Sequence, residues 1–99
     1  MAEAPIPEQL LEVREKIDQV DRQLVLLLAE RFALTGKVGR LKADGNLEAV
    51  DPTREAQKLE ALRELSRQHE LNPDLVAGLF TRIMAEVVEN HRRIRGENS

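Results

Sequence analysis

The chain's 99 residues leave room for one small domain. Charged residues make up 33% and aromatics only 2%, with two Phe and neither Trp nor Tyr, so a lone copy has few bulky groups for a core. A net charge of −3, with no basic surplus and few stacking aromatics, argues against nucleic-acid binding; the lack of Cys excludes disulfides, thiolate nucleophiles and Cys-based metal sites.

The opening "MAEAPIPEQL" is acidic and Pro-containing, without the basic and apolar regions of a secretory signal. The longest strictly apolar run, "LVLLLA", is far too short to span a bilayer, so no membrane partner and a cytoplasmic location are expected. After that lead-in, Leu10, Val13, Ile17, Val20, Leu24, Leu27, Leu34, Val38 and Leu41 recur at spacings near three and four. They predict one long helix over about residues 7–43. "ADGNLEAV" breaks it, and "DPTRE" supplies Asp51 as N-cap with Pro52 at the first helical position. A second helix over 52–69 follows, carrying Leu59, Leu62 and Leu65. "LNPDL" repeats the start signal with Asn72 and Pro73, and a third helix runs over 73–95, with Gly96 as its expected stop. The fold class is all-α, in one domain over 1–99.

Helix length then bears on assembly. At 1.5 Å per residue the first helix is roughly 50 Å long and the other two about 25 and 35 Å. Two short helices cannot cover so long an apolar stripe, so the first helix is expected to lean on a second copy in an intertwined homodimer.

Several charges fall where a core should be. Continuing the stripe from Leu24 and Leu27 reaches Arg31, and Lys42 returns to nearly the same face three turns on, about 16 Å away along the axis. Two long cationic side chains so placed leave room for a small anion. Glu55, with Arg54 beside it, lies on the stripe of Leu59 and Leu62, and His91 continues the line of Phe80, Met84 and Val87. Each has a plain structural alternative. Arg31 can snorkel along a dimer seam, Lys42 can complement a helix C-terminus, and Glu55 a helix N-terminus. Asp51 needs no role beyond capping, a lone inner-face His is often structural, and Arg14 lies beside the stripe rather than on it. Together, four inward-aimed ionisable groups on three helices favour a site, because unpaired buried charge is costly. No nucleophilic triad, metal-spaced His pair or Gly-rich phosphate loop stands out. What remains is a site that binds and polarises.

These residues fall within a familiar pattern. "LLEVREKIDQVDRQLVLLLAER", "VGRLKA", "DPTRE" and the late Leu79-Phe80, Ile83 and Glu86 follow without a gap the spacing of the all-helical chorismate mutases, which the chain resembles over about eighty positions. The resemblance implies a three-helix chain in a domain-swapped dimer that rearranges chorismate, a small dianion, to prephenate without metal or cofactor. It implies that Arg14 reaches into the partner subunit's site to hold a carboxylate, and that Arg31 holds one within its own subunit. Lys42 would contact a carboxylate and the ether oxygen of the breaking bond. Asp51, Arg54 and Glu55 would surround the ring hydroxyl, with Glu55 accepting its hydrogen bond. Two positions depart from the pattern: Val87 stands where a Ser is common, and His91 where a Gln or Glu faces the ether oxygen.

The reaction so implied is a concerted exchange of a C–O for a C–C bond. Catalysis would come from holding the dianion in a compact chair and stabilising charge on the ether oxygen. Lys42 and His91 are the candidate donors. The same scaffold also suits isochorismate pyruvate lyase or a 4-amino-4-deoxychorismate mutase. A non-catalytic helical dimerisation or regulatory module is the alternative from another class, though it would not require Arg14, Arg31, Lys42 and Glu55. At this length a stand-alone enzyme of aromatic amino-acid biosynthesis is expected.

Overall fold

Three α-helices carry nearly all of the described chain, residues 6–48 and 50–97 of a computed structural model. Helix α1 is Glu8–Asp44, α2 is Pro52–Gln68 and α3 is Pro73–Glu97; no strand occurs among the described residues. The expected all-α architecture with a long first helix is what forms. At 37 residues, α1 is about 55 Å long.

The helix starts follow local chemistry. The Pro7 carbonyl accepts from the N–H groups of Leu10 and Leu11 at the head of α1. The Asp51 carboxylate accepts from the Arg54 backbone N–H at 3.1 Å, with Pro52 at the first helical position. Asn72 does the same for α3, its side-chain oxygen accepting from the Asp74 N–H at 2.9 Å.

The end of the third helix differs from the expected Gly96 stop, and the first two close without a left-handed glycine. At the end of α1, Asn46 donates to the Ala43 carbonyl and Leu47 to the Lys42 carbonyl; at the end of α2, Glu70 donates to Arg67 and Leu71 to Ser66. Both are Schellman closures, which need one left-handed residue. That residue is Asn46 (φ 55°) in the first and Glu70 (φ 58°) in the second, and no described glycine has positive φ. Gly45 is therefore not the turning residue, and α3 continues through Gly96 to Glu97 because Gly ends a helix only when it turns left-handed. A left-handed Glu is strained by roughly 1–2 kcal/mol, so Glu70→Gly is expected to raise stability by up to about 1 kcal/mol. In a domain this size that is a Tm rise of about 4–8 °C by calorimetry. An unchanged or lower Tm would show that Glu70 makes a compensating contact.

The chain forms two compact units that meet at Ala33–Leu34, inside α1. In the first, every residue from Ile6 to Glu30 is exposed; the stripe Leu10, Val13, Ile17, Val20, Leu24 and Leu27 is 41–60% exposed. In the second, α2 packs on α3. Ala77 and Ile83 are its buried apolar residues among those described. The buried Ser66 hydroxyl donates to the Leu62 carbonyl at 2.7 Å, and an Arg63–Asp74 ion pair at 2.5 Å links the two helices. The closing turns of α1 join this unit through His91, which donates to the Thr35 carbonyl. No helix among the described residues is long and apolar enough to cross a membrane.

Candidate functional site

The best-defined polar group of the second unit is His91. It is only 4% exposed. Its Nε2 lies 2.9 Å from the Thr35 carbonyl oxygen on α1. A carbonyl oxygen only accepts, so Nε2 carries the proton of that bond. Nδ1, on the opposite edge of the ring from Cδ2, is buried without a hydrogen-bond partner.

Gly39 is what lets the ring come so close to α1. A Cβ built there would lie 2.5 Å from His91 Cδ2, 3.0 Å from His91 Nε2 and 3.0 Å from Ile94 Cδ1. Glycine inside a helix costs about 1 kcal/mol relative to alanine, and here the close helix approach offsets it. Gly39 is the buried residue of α1. The sequence signalled it only as a late glycine in an otherwise regular stripe, and Thr35 not at all.

A cavity of about 460 Å³ opens between α2 and α3. That is within the roughly 300–1,000 Å³ of small-molecule sites. Val50, Glu55 and Leu59 line one side; Met84, Val88, Glu89 and Arg92 are on the other. Glu55 is half-buried at the head of α2, where its charge also suits the helix dipole. Arg92 and Glu89 were not singled out from the sequence. The row Thr81, Ala85, Val88 and Arg92 repeats at 4, 3 and 4 beside the more apolar line through Met84 and His91, and that spacing is the signal that could have found Arg92.

The other candidate residues sit as follows. Lys42 is half-buried in the last turn of α1, its backbone carbonyl fixed by the Leu47 N–H at 2.7 Å. Neither Lys42 nor Glu55 has an ion-pair partner among the described residues. Asp51 and Arg54 are exposed and joined by the cap hydrogen bond, so here Asp51 does what its position at the helix start dictates. Val87 is half-buried on α3. Arg31 is half-buried and Arg14 exposed, both on the part of α1 that belongs to the first unit. Within the second unit, then, the fold brings Glu55 to the cavity with Met84 and Val88, and His91 to Thr35 and Gly39. Among the described residues no three His, Asp or Glu side chains gather as a metal ion would require.

The sequence profile of the family Chorismate mutase type II matches residues 13–92. The chain is 32% identical over 73 residues to a chorismate mutase of Methanocaldococcus jannaschii, covering 74% of each chain. It is 33% identical over 86 residues to the T-protein of Haemophilus influenzae, a match covering 87% of this chain and 23% of that one. It is 38% identical over 79 residues to the bifunctional chorismate mutase/prephenate dehydratase of Escherichia coli, covering 80% of this chain and 20% of the relative. The chain thus spans a quarter or less of the length of these two longer relatives.

Proposed function

The chain belongs to the type II chorismate mutase family, and on that premise we propose that it converts chorismate to prephenate in aromatic amino-acid biosynthesis, working as an intertwined homodimer. One observation carries the reading: the family match over residues 13–92 takes in every candidate position from Arg14 to His91. Half-buried Lys42 and Glu55, both without an ion-pair partner among the described residues, support a ligand of complementary charge. The exposed apolar stripe from Leu10 to Leu27 supports a second copy as its cover.

In this mechanism Arg31 and the partner's Arg14 hold the two carboxylates and so select the compact chair, an orientation effect. Glu55 accepts from the ring hydroxyl, beside Asp51 and Arg54. As the C–O bond lengthens, negative charge grows on the ether oxygen and is met by donors from Lys42 and His91. Val87 packs against the substrate without donating. Donors fixed before the reaction need no reorganisation during it, which is why such preorganisation is worth so much.

The test uses two variants, Arg14→Ala and Arg31→Ala. Each should be nearly inactive alone. Co-refolded, half of the dimers would be mixed, each with one intact site, so activity should recover to about a quarter of wild type. A mixture no better than its parents would overturn the shared site. Turnover of isochorismate or the 4-amino analogue, with no prephenate from chorismate, would overturn the mutase assignment itself.

A further inference from the structure

We infer that Arg92 is a specificity-determining residue, whose charge makes the cavity between α2 and α3 accept a ring hydroxyl in preference to a ring ammonium. The inference rests on the mutase reading, in which Glu55 meets the ring substituent, and extends it to the choice among ring-substituted analogues. Its ground is the set of charges that the fold brings to one cavity. Glu55 enters from α2; Glu89 and Arg92 enter from α3. The rest of the lining, Thr81 apart, is apolar. The mechanism gives neither Glu89 nor Arg92 a role.

Spacing explains why both face the same space. Ala85 and Glu89, and likewise Val88 and Arg92, stand four residues apart, so each pair shares a strip of the α3 surface. Glu89 and Arg92 are only three apart, which is close enough to pair. Yet among the described residues none of Glu55, Glu89 and Arg92 forms an ion pair. Their charges are left to act on whatever occupies the cavity. At about 460 Å³ it is roughly 10 Å across, no wider than the screening length at 0.1 M salt. An occupant therefore feels all three.

The sign of the effect follows from the charges. Two carboxylates by themselves make a site for a cation, and would draw an ammonium group on the ring more strongly than a neutral hydroxyl. Arg92 offsets one of them. It leaves Glu55 free to accept from a hydroxyl, penalises an ammonium, and lowers the repulsion that two carboxylates exert on a dianion. Specificity is built here by what is repelled as much as by what is bound. Arg92 needs no contact with the reacting bond to do this.

The experiment compares chorismate with its 4-amino-4-deoxy analogue at about pH 7 in the full chain, the readout being the ratio of their kcat/KM values. If the analogue binds without turning over, its inhibition constant takes the place of its kcat/KM. Arg92→Gln should lower the ratio of chorismate to analogue about tenfold, weakening the one and favouring the other. Glu89→Gln removes the opposite charge and should raise the ratio by about threefold. Lys37→Gln, at an exposed cation of α1 outside the cavity, should leave it within about twofold of wild type. All three positions are exposed, so the fold should tolerate the changes, and an unchanged Tm checks this. A ratio unmoved in both Arg92→Gln and Glu89→Gln would overturn the inference. So would an equal shift in Lys37→Gln, the mark of net charge alone. Either result leaves the mutase reading standing. No prephenate from wild type would remove both.

Discussion

Lys42→Ala is expected to lower kcat about 10²–10³-fold, the effect of losing one preorganised donor to developing negative charge. In barrier height that is about 3–4 kcal/mol. The fold makes the substitution clean. Alanine is the strongest helix former, and the Lys42 backbone is already held by the Leu47 N–H at the closure of α1. Stability should therefore change little, so a fall in rate would report on the lost ammonium group rather than on unfolding. Because Lys42 is assigned to both a carboxylate and the ether oxygen, KM should rise as well, though less than kcat falls. Lys42→Gln keeps a donor and loses the charge, and should lie between the two. A Lys42→Ala enzyme within threefold of wild type, at unchanged Tm, would show that this cation does not face the reacting bond.

Gly39→Ala should be the most damaging single-methyl change in the chain. Helix propensity alone would make it stabilising by about 1 kcal/mol. The added Cβ, however, falls 2.5 Å from His91 Cδ2 and 3.0 Å from Ile94 Cδ1. The Ile94 tip can yield by a few tenths of an ångström. The imidazole is pinned to Thr35 and cannot move without breaking that bond. Overpacking of this kind costs about 1–3 kcal/mol, enough to reverse the propensity gain. If instead the ring moves by about 1 Å, activity should drop by about 10²-fold even where the protein stays folded. A double-mutant cycle separates the terms. In a His91→Ala background the obstruction is gone, and Gly39→Ala should then raise Tm. If Gly39→Ala raises Tm in wild type too, the close approach of α3 to α1 is not what this glycine serves.

The second prediction depends on neighbours distant along the chain, His91 and Ile94, and that marks how far the residues could be read in order. Starts of helices were legible because their chemistry is local. Asp51 before Pro52 and Asn72 before Pro73 each satisfy backbone donors two or three residues on, whatever the rest of the chain does. Ends were less legible. A Schellman closure accepts several residues at its left-handed position, so Asn46 and Glu70 took it while Gly45 and Gly96 did not. The inward place of His91 followed from its heptad line. Its partner did not, since Thr35 is 56 residues away.

By itself the sequence determined the three helices, the apolar stripe that a single short chain cannot cover, and the family to which its spaced charges belong. Only the tertiary structure decided which nitrogen of His91 is spent and which is left, why a Cβ at position 39 would meet the His91 ring, and that Glu55 shares a cavity with Arg92. The physical reason is one of range. Caps and periodicity are set by backbone bonds three or four residues long, whereas the rotation of one helix against another is set by side chains meeting across the core, and no run of neighbouring residues encodes that angle.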